Sequence, residues 1–204
     1  MKYATYYEAT KLMTLEDTRK LEQRLEEENG EGRKSIVAVR KVNFIIDGGN
    51  PSYCICMKDN NTGTLLLAKR AVQNTVTYRS YAEITKEQSM MILTGNVEWM
   101  KDSKVELFKD FYLQYSFNRA RQGYIEESLR EVIVYNNKHT LLIDSARRRV
   151  LGRGTDFFDR ELWMEELPRD TVRIAYRRET KIPSMVAGIA HMSQTRLTDS
   201  AAAV

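Results

Sequence analysis

From Ser35 to Ile84 the chain is a succession of short β-branched and aromatic runs cut by turn residues, and this stretch restricts its fold more than any other. Ile36 to Ile46 ends at Asp47-Gly48-Gly49-Asn50-Pro51, Ser52 to Lys58 at Asp59-Asn60-Asn61-Thr62-Gly63, and Thr64 to Ala71 near Gln73-Asn74. Connections this short join antiparallel neighbours. Thr75 to Ile84 continues the series, with Val76, Tyr78, Ala82 and Ile84 on one face and Thr77, Arg79, Tyr81 and Glu83 on the other.

Helices flank this block. Thr14 precedes Leu15, Glu16 and Asp17 as an N-cap with acids in the first turn, and Asn29-Gly30 stops a helix that runs to about Glu28 with Leu15, Leu21 and Leu25 as its apolar stripe. Thr85-Lys86-Glu87-Gln88 opens a short helix closed by Gly95, and a second spans Lys101 to Phe117, where Phe108, Phe111, Tyr112 and Tyr115 recur at core-forming spacing. Leu129 to Tyr135 and Lys138 to Asp144 form a hairpin around Asn136-Asn137. Thr171 to Arg178 is a last strand and Pro183 to Met192 a last helix. Strands do not alternate with helices, so the class is α+β, one domain over 5–192 with a flexible tail at 193–204.

Composition narrows the function classes. With 204 residues, 42% of them hydrophobic, the chain can bury a sizeable core. No apolar run approaches the roughly 20 residues that span a bilayer, and the first residues lack the basic and apolar regions of a signal peptide, so a cytoplasmic protein is expected. Cys54 and Cys56 lie two apart on a strand and are poorly placed to bridge each other. The net charge of +4 is uneven: Glu16 to Glu31 is acidic, whereas Arg147 to Arg149 and Arg173 to Lys181 are basic. Basic segments suit phosphate, nucleic acid or an acidic protein, but no nucleic-acid recognition motif is present.

Gly30-Glu31-Gly32-Arg33-Lys34-Ser35 superficially resembles a phosphate-binding loop, yet Arg33 stands where glycine must precede the lysine and the flanking elements come in the wrong order. There is no nucleophile elbow and no paired-cysteine zinc signature. The only imidazoles are His139 and His191, and no further Cys or His completes a coordination set around Cys54 and Cys56.

Taken in order, several segments resemble a known family: Tyr7-Glu8-Ala9-Thr10-Lys11, Tyr53-Cys54-Ile55-Cys56, Leu65-Leu66-Leu67-Ala68-Lys69-Arg70 and Tyr78-Arg79-Ser80-Tyr81-Ala82-Glu83-Ile84-Thr85. Leu129-Arg130-Glu131, Ile143-Asp144, Asp156-Phe157-Phe158-Asp159, Val172-Arg173-Ile174-Ala175-Tyr176 and Ile182-Pro183 continue it. The family is the vacuolar transporter chaperone (VTC) type of polyphosphate polymerase, within the CYTH or triphosphate-tunnel superfamily. The resemblance implies an antiparallel β tunnel or barrel with flanking helices, CYTH-like, whose inward cations hold a triphosphate or polyphosphate and whose acids hold a divalent metal. Phosphoryl transfer needs that metal to neutralise charge at the reacting phosphates.

The chain departs from the family pattern at many chemically demanding positions. Glu8 is kept, but Thr10 replaces the lysine of the Glu-x-Lys opening; Cys54 and Cys56 replace both arginines of the Arg-x-Arg strand. Leu66 and Ala68 replace a lysine and a glutamate, Thr140 an arginine, and Arg173 and Ala175 the glutamate and lysine of the closing strand. What the resemblance leaves for phosphate is Lys69, Arg70, Arg79 and Arg130, and for a metal Glu8 and Asp144.

Three functions follow from the resemblance. The first is a divergent tunnel domain that binds polyphosphate, phosphate or a nucleotide with impaired or absent polymerisation. The second is an active ATP-dependent polyphosphate polymerase with a rearranged site, Mn or Mg being held by Glu8, Asp144 and Glu83. The third is a non-enzymatic scaffold for a protein partner.

Overall fold

The computed structural model describes residues 2–59, 64–74, 76–118, 120–136 and 139–178. The helix expected at Pro183 to Met192 and the expected tail lie outside them. Among the described residues nine strands are formed: β1 (Lys2–Thr14), β2 (Arg33–Ile45), β3 (Ser52–Lys58), β4 (Leu65–Gln73), β5 (Val76–Ile84), β6 (Arg121–Tyr135), β7 (His139–Val150), β8 (Glu165–Glu166) and β9 (Thr171–Arg178). Their order is β6-β2-β3-β4-β5-β1-β9-β7-β8, and an additional β6–β7 pairing closes eight of them into an antiparallel barrel. Three α-helices accompany them among the described residues: α1 (Leu15–Asn29), α2 (Lys86–Leu93) and α3 (Glu106–Phe117). The expected α+β architecture, an antiparallel barrel with flanking helices, is what the chain adopts. No helix among the described residues is long and apolar enough to cross a membrane.

The described residues fall into two compact units. One comprises the described parts of Met1–Thr5, Ala38–Ser128 and Arg148–Leu167; the other comprises the described parts of Tyr6–Val37, Leu129–Arg147 and Pro168–Val204.

In the second unit, Thr14 caps α1 through its hydroxyl, which accepts from the Asp17 amide at 3.1 Å, and Gly30 ends it at φ 78°. Leu21 and Leu25 are fully buried among Met13, Ile133, Tyr135, Leu141, Ile143, Val172, Ile174 and Tyr176. The expected stripe needs one correction. Leu15 is exposed and Thr18 is buried instead. Six residues at about 100° each carry Leu15 some 120° off the Leu21 direction, whereas Thr18 lies within reach of that face.

In the first unit, α3 lays Leu107, Phe108 and Phe111 on Val42, Phe44, Tyr53, Ile55, Leu65, Leu67, Ala82 and Ile84. This helix starts later than the sequence suggests. Glu98–Met100 forms a separate 3-10 turn, and the Ser103 hydroxyl accepts from the Val105 amide, which satisfies the chain before Glu106 without an earlier helical turn. β6 and β7 are longer than the expected hairpin arms, so Arg148 lies in a strand.

The interior of an eight-stranded barrel is wide enough for side chains or one small ligand, and too narrow for a helix. Strand faces covered by helices are therefore outer faces, and the alternate residues line the interior.

Candidate functional site

In the unit that carries α1, the outer face takes Ala9, Met13, Leu141, Ile143, Val172, Ile174 and Tyr176. The alternation then turns Glu8, Thr10, Thr140, Leu142, Asp144, Arg173, Ala175 and Arg177 to the interior. Pairing with the two flanking strands places Glu8 and Thr140 opposite Arg177, and Asp144 opposite Arg173.

Two ion clusters result. Asp144 is buried, and Arg130 grips it in bidentate fashion, Nε to Oδ1 at 2.6 Å and Nη2 to Oδ2 at 2.8 Å. Arg173 adds Nε and Nη2 to the same Oδ2 at 3.3 and 3.2 Å. The Glu8 carboxylate, 1% exposed, accepts from Arg177 Nε at 2.7 Å, and that guanidinium lies 5.0 Å from the centre of the Tyr6 ring. Charge-assisted pairs of this kind are the strong ones.

Burial is the largest influence on Asp144 and pushes its pKa up, but the hydrogen bonds and positive charges of Arg130 and Arg173 outweigh it and hold the carboxyl below its ordinary value. A depressed folded-state pKa means stability that is fully present above the unfolded value, near 3.9, and lost as pH falls through the folded one. Urea titrations between pH 6 and 2.5 should therefore show the wild type losing stability below about pH 4 more steeply than Asp144→Asn. Parallel curves for the two proteins would contradict this.

In the other unit the interior face of β2 to β5 carries Lys41 and Asn43, Cys54 and Cys56, Leu66, Ala68 and Arg70, and Arg79, Tyr81 and Glu83. Lys41 Nζ meets Glu126 Oε2 of β6 at 2.9 Å. Arg70 and Arg79 stand directly opposite each other. Like charges facing across a ladder repel, so an anion between them is favourable. Lys69 does not join this pair. It pairs across the ladder with Tyr53, on the face covered by α3, where its Nζ meets Asp110 Oδ2 at 2.7 Å. Tyr53 also donates to Asp110; burial first, then that carboxylate, push the phenol's pKa up.

Of the four cations expected for phosphate, then, Arg70 and Arg79 are juxtaposed, Arg130 belongs to the Asp144 cluster, and Lys69 is a strut between β4 and α3. The sequence reading missed Lys41, Glu126 and Arg177 as interior groups. For Lys41 the signal was the alternation Arg40, Val42, Phe44 against Lys41, Asn43 along β2. Arg177 lies two residues beyond Ala175 on the same face of β9.

Glu8 and Asp144 fit a shared divalent metal poorly. Their partners Arg177 and Arg173 are four residues apart on β9, about 13 Å along the strand. Oxygens that ligate one ion lie no more than about 5 Å apart. Each carboxylate is also already matched to guanidinium. Among the described residues no group of three or more His, Cys, Asp or Glu side chains is arranged to hold a metal.

No protein-family model matches the chain. No curated protein matches it either. Solved structures do share its fold. It is similar to an adenylate cyclase candidate from Bacillus halodurans (bh2851) at a TM-score of 0.54 and 11% identity, covering 97% of this chain and 91% of that one. The Hippeastrum adenylyl cyclase candidate HpAC1, described as having a dominant triphosphatase activity, gives a TM-score of 0.51 and 11% identity over 94% of this chain and 86% of that one. At such identities the likeness is one of fold: the chain shares with these proteins a closed antiparallel barrel.

Proposed function

We propose that this chain is a VTC-like tunnel domain that binds a phosphate-rich polyanion, inorganic polyphosphate or a nucleotide, and does not sustain phosphoryl transfer. The observation that carries the reading is the pairing of both candidate metal carboxylates with guanidinium: Asp144 with Arg130 and Arg173, Glu8 with Arg177. Transfer between phosphates depends on charge neutralisation at the reacting oxygens, and carboxylates shared with arginine are poor metal ligands. Binding asks less. Arg70 and Arg79 face each other on the interior side of β4 and β5, and three guanidiniums share two carboxylates in the other unit. Guanidinium groups are matched to phosphate oxygens in geometry and charge. A cytoplasmic location, where polyphosphate and nucleotides meet reduced thiols such as Cys54 and Cys56, suits this role.

The test is calorimetric and enzymatic. Tripolyphosphate should bind at low salt, bind more weakly as salt rises, and increase the melting temperature by mass action. Incubation with ATP and Mn2+ or Mg2+ should yield no polyphosphate above a no-enzyme control. Robust synthesis would instead mark an active polymerase, and absence of binding at low salt would leave a scaffold for a protein partner.

A further inference from the structure

Asp144 and its two arginines raise a question that their stability alone does not answer. A single buried carboxylate is shared by two guanidiniums from two different strands, Arg130 on β6 and Arg173 on β9. Both Asp144 oxygens are engaged: Oδ1 by one nitrogen of Arg130, Oδ2 by one nitrogen of Arg130 and two of Arg173. Two converging guanidinium forks around a small planar oxyanion is also the arrangement that recognises a phosphoryl group. Arg130 and Arg173 keep 22% and 24% of their side chains accessible, whereas Asp144 keeps 5%. The two arginines are therefore more accessible than the carboxylate they hold.

We infer that Arg130 and Arg173 form a phosphoryl seat and that Asp144 acts as its built-in competitor, an internal anion that holds the two arginines in place and lowers the affinity of the seat for phosphate. This inference rests on the polyanion-binding reading above and deepens it by assigning a residue that tunes the affinity. The physical reason is direct. A phosphate that enters must share the guanidinium donors with a carboxylate of like charge, which costs affinity in a partly desolvated site. Removing the carboxylate's charge while keeping its shape removes that penalty. Removing Arg173 takes away one of the two guanidiniums that a phosphoryl group would engage and leaves the bidentate Arg130–Asp144 pair.

The experiment measures tripolyphosphate binding by isothermal calorimetry in metal-free, low-salt buffer for the wild type, Asp144→Asn and Arg173→Ala. Asp144→Asn should bind about tenfold or more tightly than the wild type, against the usual result that deleting a site residue weakens a ligand. Arg173→Ala should bind about tenfold more weakly. Asp144→Asn brings two guanidiniums together without a carboxylate and is expected to melt lower, so a larger tripolyphosphate-induced rise in its melting temperature than in the wild type serves as a second readout. Arg173→Ala, which keeps the bidentate Arg130–Asp144 pair, provides an arm that does not depend on the first variant folding. If the wild type binds and Asp144→Asn binds equally or more weakly, the competitor role is wrong while the polyanion reading stands. If the wild type fails to bind and Asp144→Asn binds, the competitor role stands and polyanion binding by the native chain falls. If none of the three proteins binds, both fall.

Discussion

Arg40→Ala is expected to destabilise the protein by about 3–5 kcal/mol, the range for breaking a buried ion pair from one side. Arg40 is 3% exposed, on the face of β2 that also carries Val42 and Phe44. Its Nε donates to Glu127 and one Nη donates to the carbonyls of Phe157, at 2.8 Å, and Asp159. Those carbonyls belong to the 3-10 turn Gly154–Phe158 and the residue after it, so one guanidinium ties that irregular segment to the sheet. Truncation takes from a largely buried carboxylate its buried partner, leaving it only the half-exposed Arg148, and strands two carbonyls at once. Arg148 supplies the contrast: it also donates to Glu127, but it is half exposed. Its alanine variant should lose no more than about 1 kcal/mol. Urea unfolding of the two variants checks the ordering, and equal losses would show that Arg40 is not the strut described.

The second large effect is expected at Phe111. Its side chain is fully buried at the centre of the α3 interface, with its ring 4.9 Å from Phe44 and 5.4 Å from Tyr53, both in edge-to-face geometry, and 6.0 Å from Tyr115. Phe111→Ala removes the transfer energy of a whole ring and leaves a cavity between α3 and the sheet, at a cost of about 3–5 kcal/mol. Leu113, half exposed on the same helix, should lose under about 1 kcal/mol when changed to alanine. Thermal or urea unfolding of the pair separates core packing from helix propensity, since both changes place alanine in the same helix. A small loss at Phe111 would mean that the aromatic cluster is not the keystone of that unit.

The two substitutions also mark where the sequence was legible. The aromatic spacing in α3 was readable because a buried helix face repeats every three to four residues, a strictly local pattern. The strands Ser52–Lys58 and Thr171–Arg178 were delimited by turn residues and β-branched content, and they occur with those bounds. Arg40 was not singled out. A basic residue inside an apolar strand face carries no local sign of whether it reaches solvent or a buried carbonyl, and its partners lie 87 to 119 residues away.

Lys69 and Arg70 show the same limit inside a correctly placed strand. Both are basic and adjacent, yet alternation gives them opposite faces: Lys69 goes to Asp110 of α3, while Arg70 stands opposite Arg79. Which of the two faces is interior depends on where α3 lands, and the strand's own residues do not specify that.

By itself the sequence determined the α+β class, the antiparallel run of neighbouring strands from Ser35 to Ile84 and the capped first helix, because each follows from residue type, period and spacing along the chain. Only the tertiary structure decided which charges meet. Barrel closure sets the register of β1, β7 and β9, and that register brings Glu8 to Arg177, 169 residues away, and Asp144 to both Arg130 and Arg173. Side-chain alternation is local, but partner choice across a ladder is not. The pairing of both metal candidates with arginine, on which the functional reading depends, could be known only once the strands had found their neighbours.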